Sequence, residues 1–205
     1  MISVSSLEKG HGGRTLFRDV SFRLLPGRRI ALVGGNGVGK TTILEIVVGH
    51  QRADAGEVHR TKDLTVGYLP QDLTDEVNDT VLAHVMAGAG ELAGMEEELR
   101  SLEADMASPD AAKAEAALDA YGEISTRFEA AGGYQLEAEA QRVLAGLGFK
   151  PSDANRSVSE LSGGWRMRAT LGQLLLAKPE VLVLDEPTNH LDVDSVTWLE
   201  EQLAA

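Results

Sequence analysis

Eight consecutive residues, Gly34-Gly35-Asn36-Gly37-Val38-Gly39-Lys40-Thr41, fit the pattern G-x-x-x-x-G-K-[ST] without a mismatch, and Thr42 follows. Glycines in such a run let backbone N–H groups close round a polyphosphate, and the following helix points its positive end at the same charge. Lys40 then reaches the terminal phosphates, and the Thr41 hydroxyl is placed to ligate Mg²⁺. A second run, Val181-Leu182-Val183-Leu184-Asp185-Glu186, has four apolar residues ending in two acids. That is the composition of a buried strand delivering carboxylates to its C-terminal end, where open α/β sheets bind ligands. Asp185 would hold the metal directly or through water, and Glu186 is the natural general base for an attacking water. Two further strings carry less by themselves. Leu161-Ser162-Gly163-Gly164 is a donor-rich tip before a helix, suited to grip an anion, although Ser-Gly-Gly is also a common turn. Gln71, after Leu69-Pro70, reads alone as an exposed polar residue.

The elements that must hold these residues are legible from periodicity. Ile2 and Val4, then Val20, Phe22 and Leu24, alternate with polar residues as strands, with Gly12-Gly13 as the turn between them and Pro26-Gly27 as a second turn. Ile30-Ala31-Leu32-Val33 has the apolar content of a buried parallel strand ahead of the glycine run. Residues 40–48 read as a helix ending at Gly49, and Thr65–Leu69 as a strand. From about residue 80 to 147 the pattern is helical. Leu92, Met95, Leu99, Leu102 and Met106 share one face, Ser108-Pro109 breaks that helix, and Leu118, Tyr121, Ser125 and Phe128 continue the spacing as far as Gly132-Gly133. A further helix carries Leu136, Ala140, Val143 and Leu147, another runs from the Ser-Gly-Gly tip to about Ala177, and a last one spans 195–205. Strand–helix–strand order with two apolar strands indicates an α/β fold with a parallel core sheet, an N-terminal antiparallel β subdomain and an inserted helical hairpin.

A chain of 205 residues, 43% hydrophobic and 25% charged, can bury a substantial core. It has no cysteine, which excludes disulfides and thiolate metal sites and suits a reducing compartment. No stretch approaches the roughly 20 apolar residues a membrane span needs, and the N-terminus lacks the pattern of a secretory signal. The net charge of −13 is concentrated: residues 72–160 hold 19 acids against 6 bases, while the remainder holds 13 of each. That segment reads as a solvated helical subdomain whose charge opposes direct contact with nucleic acid.

Taken in order, the phosphate loop at 34–42, Gln71, the string at 161–164 and the run at 181–186 resemble the ABC ATPase superfamily over essentially the whole chain. LSGGWRMR at 161–168 and DEPTNHLD at 185–192 resemble its ABC-F subfamily, cytosolic tandem-cassette ATPases without membrane domains, many of which act on the ribosome or protect it from antibiotics. The resemblance implies a P-loop NTPase fold of ABC type, with 1–71 as β subdomain and phosphate-loop core, 72–160 as acidic helical subdomain and 161–205 as the rest of the core. It implies that Gly34, Gly35, Asn36, Gly37, Val38, Gly39, Lys40, Thr41 and Thr42 bind ATP and that Gln71 senses metal and water. By the same resemblance Asp185 supports Mg²⁺, Glu186 is the catalytic base, and Asp192 lies in a loop facing a second cassette. Ser162, Gly163 and Gly164 would close on the γ-phosphate held by that second cassette, supplied by the same full-length chain or by a homodimer.

Where such cassettes place an aromatic against adenine, this chain offers His11, which can stack or can be an ordinary turn histidine. The histidine expected on the strand after 181–186 would lie past Ala205, and there is no second phosphate loop within the 205 residues. The chain is therefore expected to bind Mg-ATP with negligible turnover by itself, and to hydrolyse it in a cytoplasmic, ribosome-related protein when paired. The alternatives are the ATP-hydrolysing subunit of a membrane transporter and a nucleotide-binding module without turnover.

Overall fold

Alternation at the N-terminus produces two long strands, β1 (Ile2–His11) and β2 (Arg14–Leu24), in a computed structural model that describes residues 1–73 and 78–204. They pair antiparallel from Ile2↔Leu24 to His11↔Arg14 across the Gly12-Gly13 turn. β3 (Ala55–Arg60) adds antiparallel to the other edge of β1, giving the order β2-β1-β3. A register shift between Val4 and Leu7, with Ser6 at φ 47°, resets the alternation so that Leu7 faces inward with Ile2 and Val4. Against them pack Ile43, Ile46 and Val47 of α1 (Lys40–Val48), together with Val181 and Val183. The last two belong to β5 (Val181–Leu184), which pairs parallel with β4 (Val66–Leu69) from Val66↔Val181 to Leu69↔Leu184.

The strand expected at 30–33 does not form. Leu32 reaches the core cluster, but Ile30 is 45% and Val33 94% exposed, and the segment has no regular structure. A strand exists only with a hydrogen-bonded neighbour. Among the described residues β4 and β5 pair with each other alone, so the apolar run has no ladder to join.

Residues Met1–Gln71 with Pro179–Glu186 make one compact unit, and Asp72–Lys178 with Pro187–Ala205 make the other. The second is helical: α2 (Val81–Met86), α3 (Glu91–Met106), α4 (Ala111–Ala130), α5 (Leu136–Gly146), α6 (Gly163–Ala177) and α7 (Val193–Ala204). α3 and α4 form an antiparallel hairpin, with the exposed ion pairs Arg127–Glu91 and Lys113–Asp105 at its two ends. Its core is Met95, Leu99 and Phe128, backed by Leu92, Tyr121 and Ile124. Leu118 is not in it and is 56% exposed; the inward line on α4 runs Ala117, Tyr121, Ile124, Phe128, and Leu118 lies one residue, about 100°, off that line. Pro109 stands just ahead of the cap of α4, Asp110, which accepts from the N–H groups of Ala112 and Lys113. Leu136, Ala140, Val143 and Leu147 are all buried, as their spacing predicts, and α7 starts two residues before the expected Ser195. Its expected last residue, Ala205, lies outside the described residues. α6 packs on α2 and α5, with the hydroxyl of Thr170 3.4 Å from Nε2 of the buried His84, whose pKa burial pushes down.

Candidate functional site

The glycine run forms an exposed irregular loop that turns into α1 at Lys40. Gly39 makes the entry possible. Its φ of 97° is left-handed, and a Cβ there would meet Cδ1 of Phe17 at 2.9 Å, so any other residue is opposed by both backbone and neighbour. As N-cap, Gly39 offers no side chain to the first-turn N–H groups, which are left for an anion. Lys40 folds over this loop, with Nζ donating to the carbonyl oxygens of Gly34 and Gly35 at 3.1 Å each. The same ammonium lies 3.5 Å from Oε1 of Glu186.

Parallel pairing brings the other polar groups to one end of the sheet. Leu69↔Leu184 is the last register pair, so Pro70-Gln71 and Asp185-Glu186 leave β4 and β5 side by side. The amide of Asp185 donates to Leu69 O at 3.0 Å. Glu186 takes φ 48°, a left-handed value uncommon for a residue with a side chain, of the kind met at functional turns. The result is a cleft of about 480 Å³ lined by His11, Leu16, Asn36, Gly37, Gly39, Lys40, Thr41, Thr42, Gln71 and Glu186. His11 arrives as the last residue of β1, beside the hairpin turn. Leu16 is the lining residue that no motif marks; its only signal is its place just after that turn.

Asp185 is 4% exposed, and its Oδ2 is buried without a hydrogen-bond partner. Such an oxygen calls for a proton or a cation. No three His, Asp or Glu side chains among the described residues could hold a metal between them. The donors are oxygen-bearing and few: the Thr41 hydroxyl, the Gln71 amide and Asp185. That set, with its single carboxylate, fits Mg²⁺, which is held through one or two carboxylates and completes its shell with phosphate and water. Tyr68, which the sequence does not single out, has a buried hydroxyl without a partner. Burial, then the charges of Asp185 and Glu45, push its pKa up to about 12, so it stays a neutral phenol.

Ser162–Gly164 lie in the helical unit, at the start of α6. Ser162 is the N-cap, yet its exposed side chain makes no capping bond. The residues just behind this tip fall within the strings that carry the resemblance, but the sequence gives Trp165 and Arg168 no role of their own. Arg168 is buried and binds three groups at once: Nε donates to His190 O at 2.7 Å, and Nη1 donates to Leu147 O at 3.1 Å and Asp192 Oδ2 at 2.8 Å. Its guanidinium sits 4.6 Å from the ring centre of Trp165, which meets Phe149 edge to face. The amide of Ser195 on α7 donates to Asp192 Oδ1, and this bond first, then Arg168, brings the carboxyl from 3.8 to about 2.

An open cleft with a cation, uncapped helical N–H groups and the Glu186 carboxylate, with Asp185 buried next to it at the sheet's C-terminal end, is equipped to hold a polyphosphate with its metal and to take a proton from water. A family model described as "ABC transporter" matches residues 17–189. The ATP-binding protein YdiF of Bacillus subtilis (strain 168) is 40% identical over 203 residues, which cover 99% of this chain and 32% of that protein. ABC transporter F family member 5 of Arabidopsis thaliana is 35% identical, over 98% of this chain and 30% of its own. The tylosin resistance ATP-binding protein TlrC of Streptomyces fradiae is 39% identical, over 99% and 37%. The chain thus spans about a third of the length of these relatives. A solved ATP-binding subunit of an ABC transporter shares the fold, with a TM-score of 0.64 at 20% identity over 100% of this chain and 75% of that one.

Proposed function

We propose that this chain, which belongs to the ABC transporter family of ATPases, is of the F branch and serves as one cassette of a two-cassette Mg-ATP hydrolase. One observation carries the reading: Lys40, Gln71 and Glu186 converge with the glycine loop on a single cleft. An arriving polyphosphate replaces Gly34 O, Gly35 O and Glu186 as the partner of the Lys40 ammonium, and the α1 N–H groups take the remaining oxygens. Glu186, relieved of Lys40, accepts the proton of the water that attacks the γ-phosphorus, and the bond to ADP breaks in line. Gln71 orients that water, and Asp185 with Thr41 holds Mg²⁺, which when bound neutralises charge on the phosphate oxygens. His11 supplies an imidazole face for the base. Ser162–Gly164 serve the nucleotide of an opposing cassette, in the same full-length protein or in a homodimer, so that ATP joins two cassettes and hydrolysis releases them.

The biological setting that fits is a cytoplasmic, ribosome-related task, either in translation or in antibiotic resistance. F-branch kinship and the name of TlrC support it. Contact with RNA through residues 72–160 is opposed by their charge. The 205 residues alone are expected to bind nucleotide with negligible turnover. Ribosome co-sedimentation of the natural-length protein tests the setting. Glu186→Gln with ATP should hold the protein on ribosomes, whereas equal amounts in the ribosome-free fraction with and without ATP would refute it. Turnover by the isolated 205-residue chain at low concentration, abolished by Glu186→Gln, would refute the two-cassette requirement.

A further inference from the structure

The tip Ser162–Gly164 rests on the loop that precedes α7. A Cβ on Gly164 would stand 3.4 Å from Nδ1 of His190, and one turn on, Arg168 binds the carbonyl of that same His190. Residues 164 and 168 are four apart, so both lie on one face of α6. Arg168 also reaches Leu147 O at the end of α5 and Asp192, whose second oxygen caps α7. Four pieces of chain thus meet at one guanidinium: α6, the end of α5, the loop through His190 and the start of α7. The residue after Leu147 makes room for it: a Cβ on Gly148, at φ 87°, would lie 2.9 Å from Nη1 of Arg168. An arginine fork can meet acceptors in several directions at once, and the ring of Trp165 stands 4.6 Å from it.

We propose that Arg168 is a positioning residue for hydrolysis, clamping the loop through His190 and Asp192 to the first turns of α6 so that the tip and Asp192 face a second cassette as one rigid surface. This rests on the reading of Ser162–Gly164 given above. Arg168 lines no part of the phosphate cleft, so the clamp acts on turnover and leaves the chain's own hold on ATP alone.

The natural-length protein tests it. Arg168→Ala and Asp192→Ala should each lower kcat about 10-fold or more, the scale of an ångström-level misplacement, with KM for ATP within about 2-fold. The double variant should be no worse than the poorer single one, because both remove the same clamp. Arg168→Lys should recover part of the loss, since an ammonium keeps the charge and forfeits the fork. Should Arg168→Ala not fold, Arg168→Lys and Asp192→Asn carry the same test with a smaller fall. Unchanged kcat, additive losses, or KM rising in step with the fall in kcat would each overturn the clamp. Ser162→Glu, which sets an acid at the exposed tip, separates the two claims. If it loses kcat and Arg168→Ala does not, only the clamp is wrong; if it keeps full kcat, the reading of the tip falls and the clamp with it.

Discussion

Two helices of this protein begin alike and end up differently equipped. α1 and α6 both start in glycine-rich turns, and neither has a side chain capping its first N–H groups. Around α1 the chain gathers a cleft, a lysine and two acids at a strand end. Around α6 its polar groups are joined behind the tip, Arg168 to the His190 carbonyl and to Asp192, and Ser162 is left exposed. An uncapped helix start is only a receptive field. Side chains gathered ahead of that start make a site for the helix's own ligand. Side chains gathered behind it make a stiff surface to be applied to something else.

Substitutions break this contrast in graded ways. The largest effect belongs to Glu186→Gln in the natural-length protein, expected to lower turnover by about 10²-fold or more while ATP still binds, as single-turnover and equilibrium binding assays would show. Lys40→Ala should weaken ATP binding itself by about 10²-fold, the loss of about 3 kcal/mol of charge-assisted bonding, read with a fluorescent nucleotide. Equal affinity in that variant would remove the loop from the site.

Stability should separate the two glycine turns. Gly39→Ala forces φ 97° on an alanine against Phe17 and should cost roughly 1–3 kcal/mol in denaturant unfolding. Gly163→Ala meets open space and should change stability by less than about 1 kcal/mol. The smallest expected effect is acidic. The Asp192 carboxyl is lowered from 3.8 to about 2, so its contribution is complete above pH 3.8 and is lost as pH falls towards 2. Asp192→Asn should flatten the pH dependence of stability across that window and leave the pH dependence near neutrality unchanged.

How much the sequence reveals follows from how local each signal is. The Gly12-Gly13 turn, the helix ending at Gly49 and the stripe through Leu136, Ala140, Val143 and Leu147 depend on neighbours a few residues away, and all are found. The run at 30–33 depends on a strand partner, which no local pattern supplies, and its apolar content alone points the wrong way. Leu118 looks like a core residue because its spacing differs from that of Ala117 by one position. The cleft's loop and acids are legible as motifs, and the pairing of Leu69 with Leu184 explains why Gln71 and Glu186 share it. Arg168 closes a recognisable string, but its task is hidden, because its partners Leu147, His190 and Asp192 lie 21, 22 and 24 residues away, two of them through backbone oxygens that have no side-chain signature.

The unpartnered stretch at 30–33 has a practical consequence at the bench. Val33 at 94% exposure, with Ile30 and Leu25 each at 45%, puts branched side chains into water in a segment whose backbone makes no ladder. Among the described residues β5 also keeps one edge without a strand beside it. Sticky side chains and an unsaturated sheet edge are the ingredients of colloidal self-association. The 205-residue chain prepared alone should therefore scatter more light as it is concentrated, its net charge of −13 slowing the process at low salt and less so as salt is added. Val33→Lys should keep such a preparation clear.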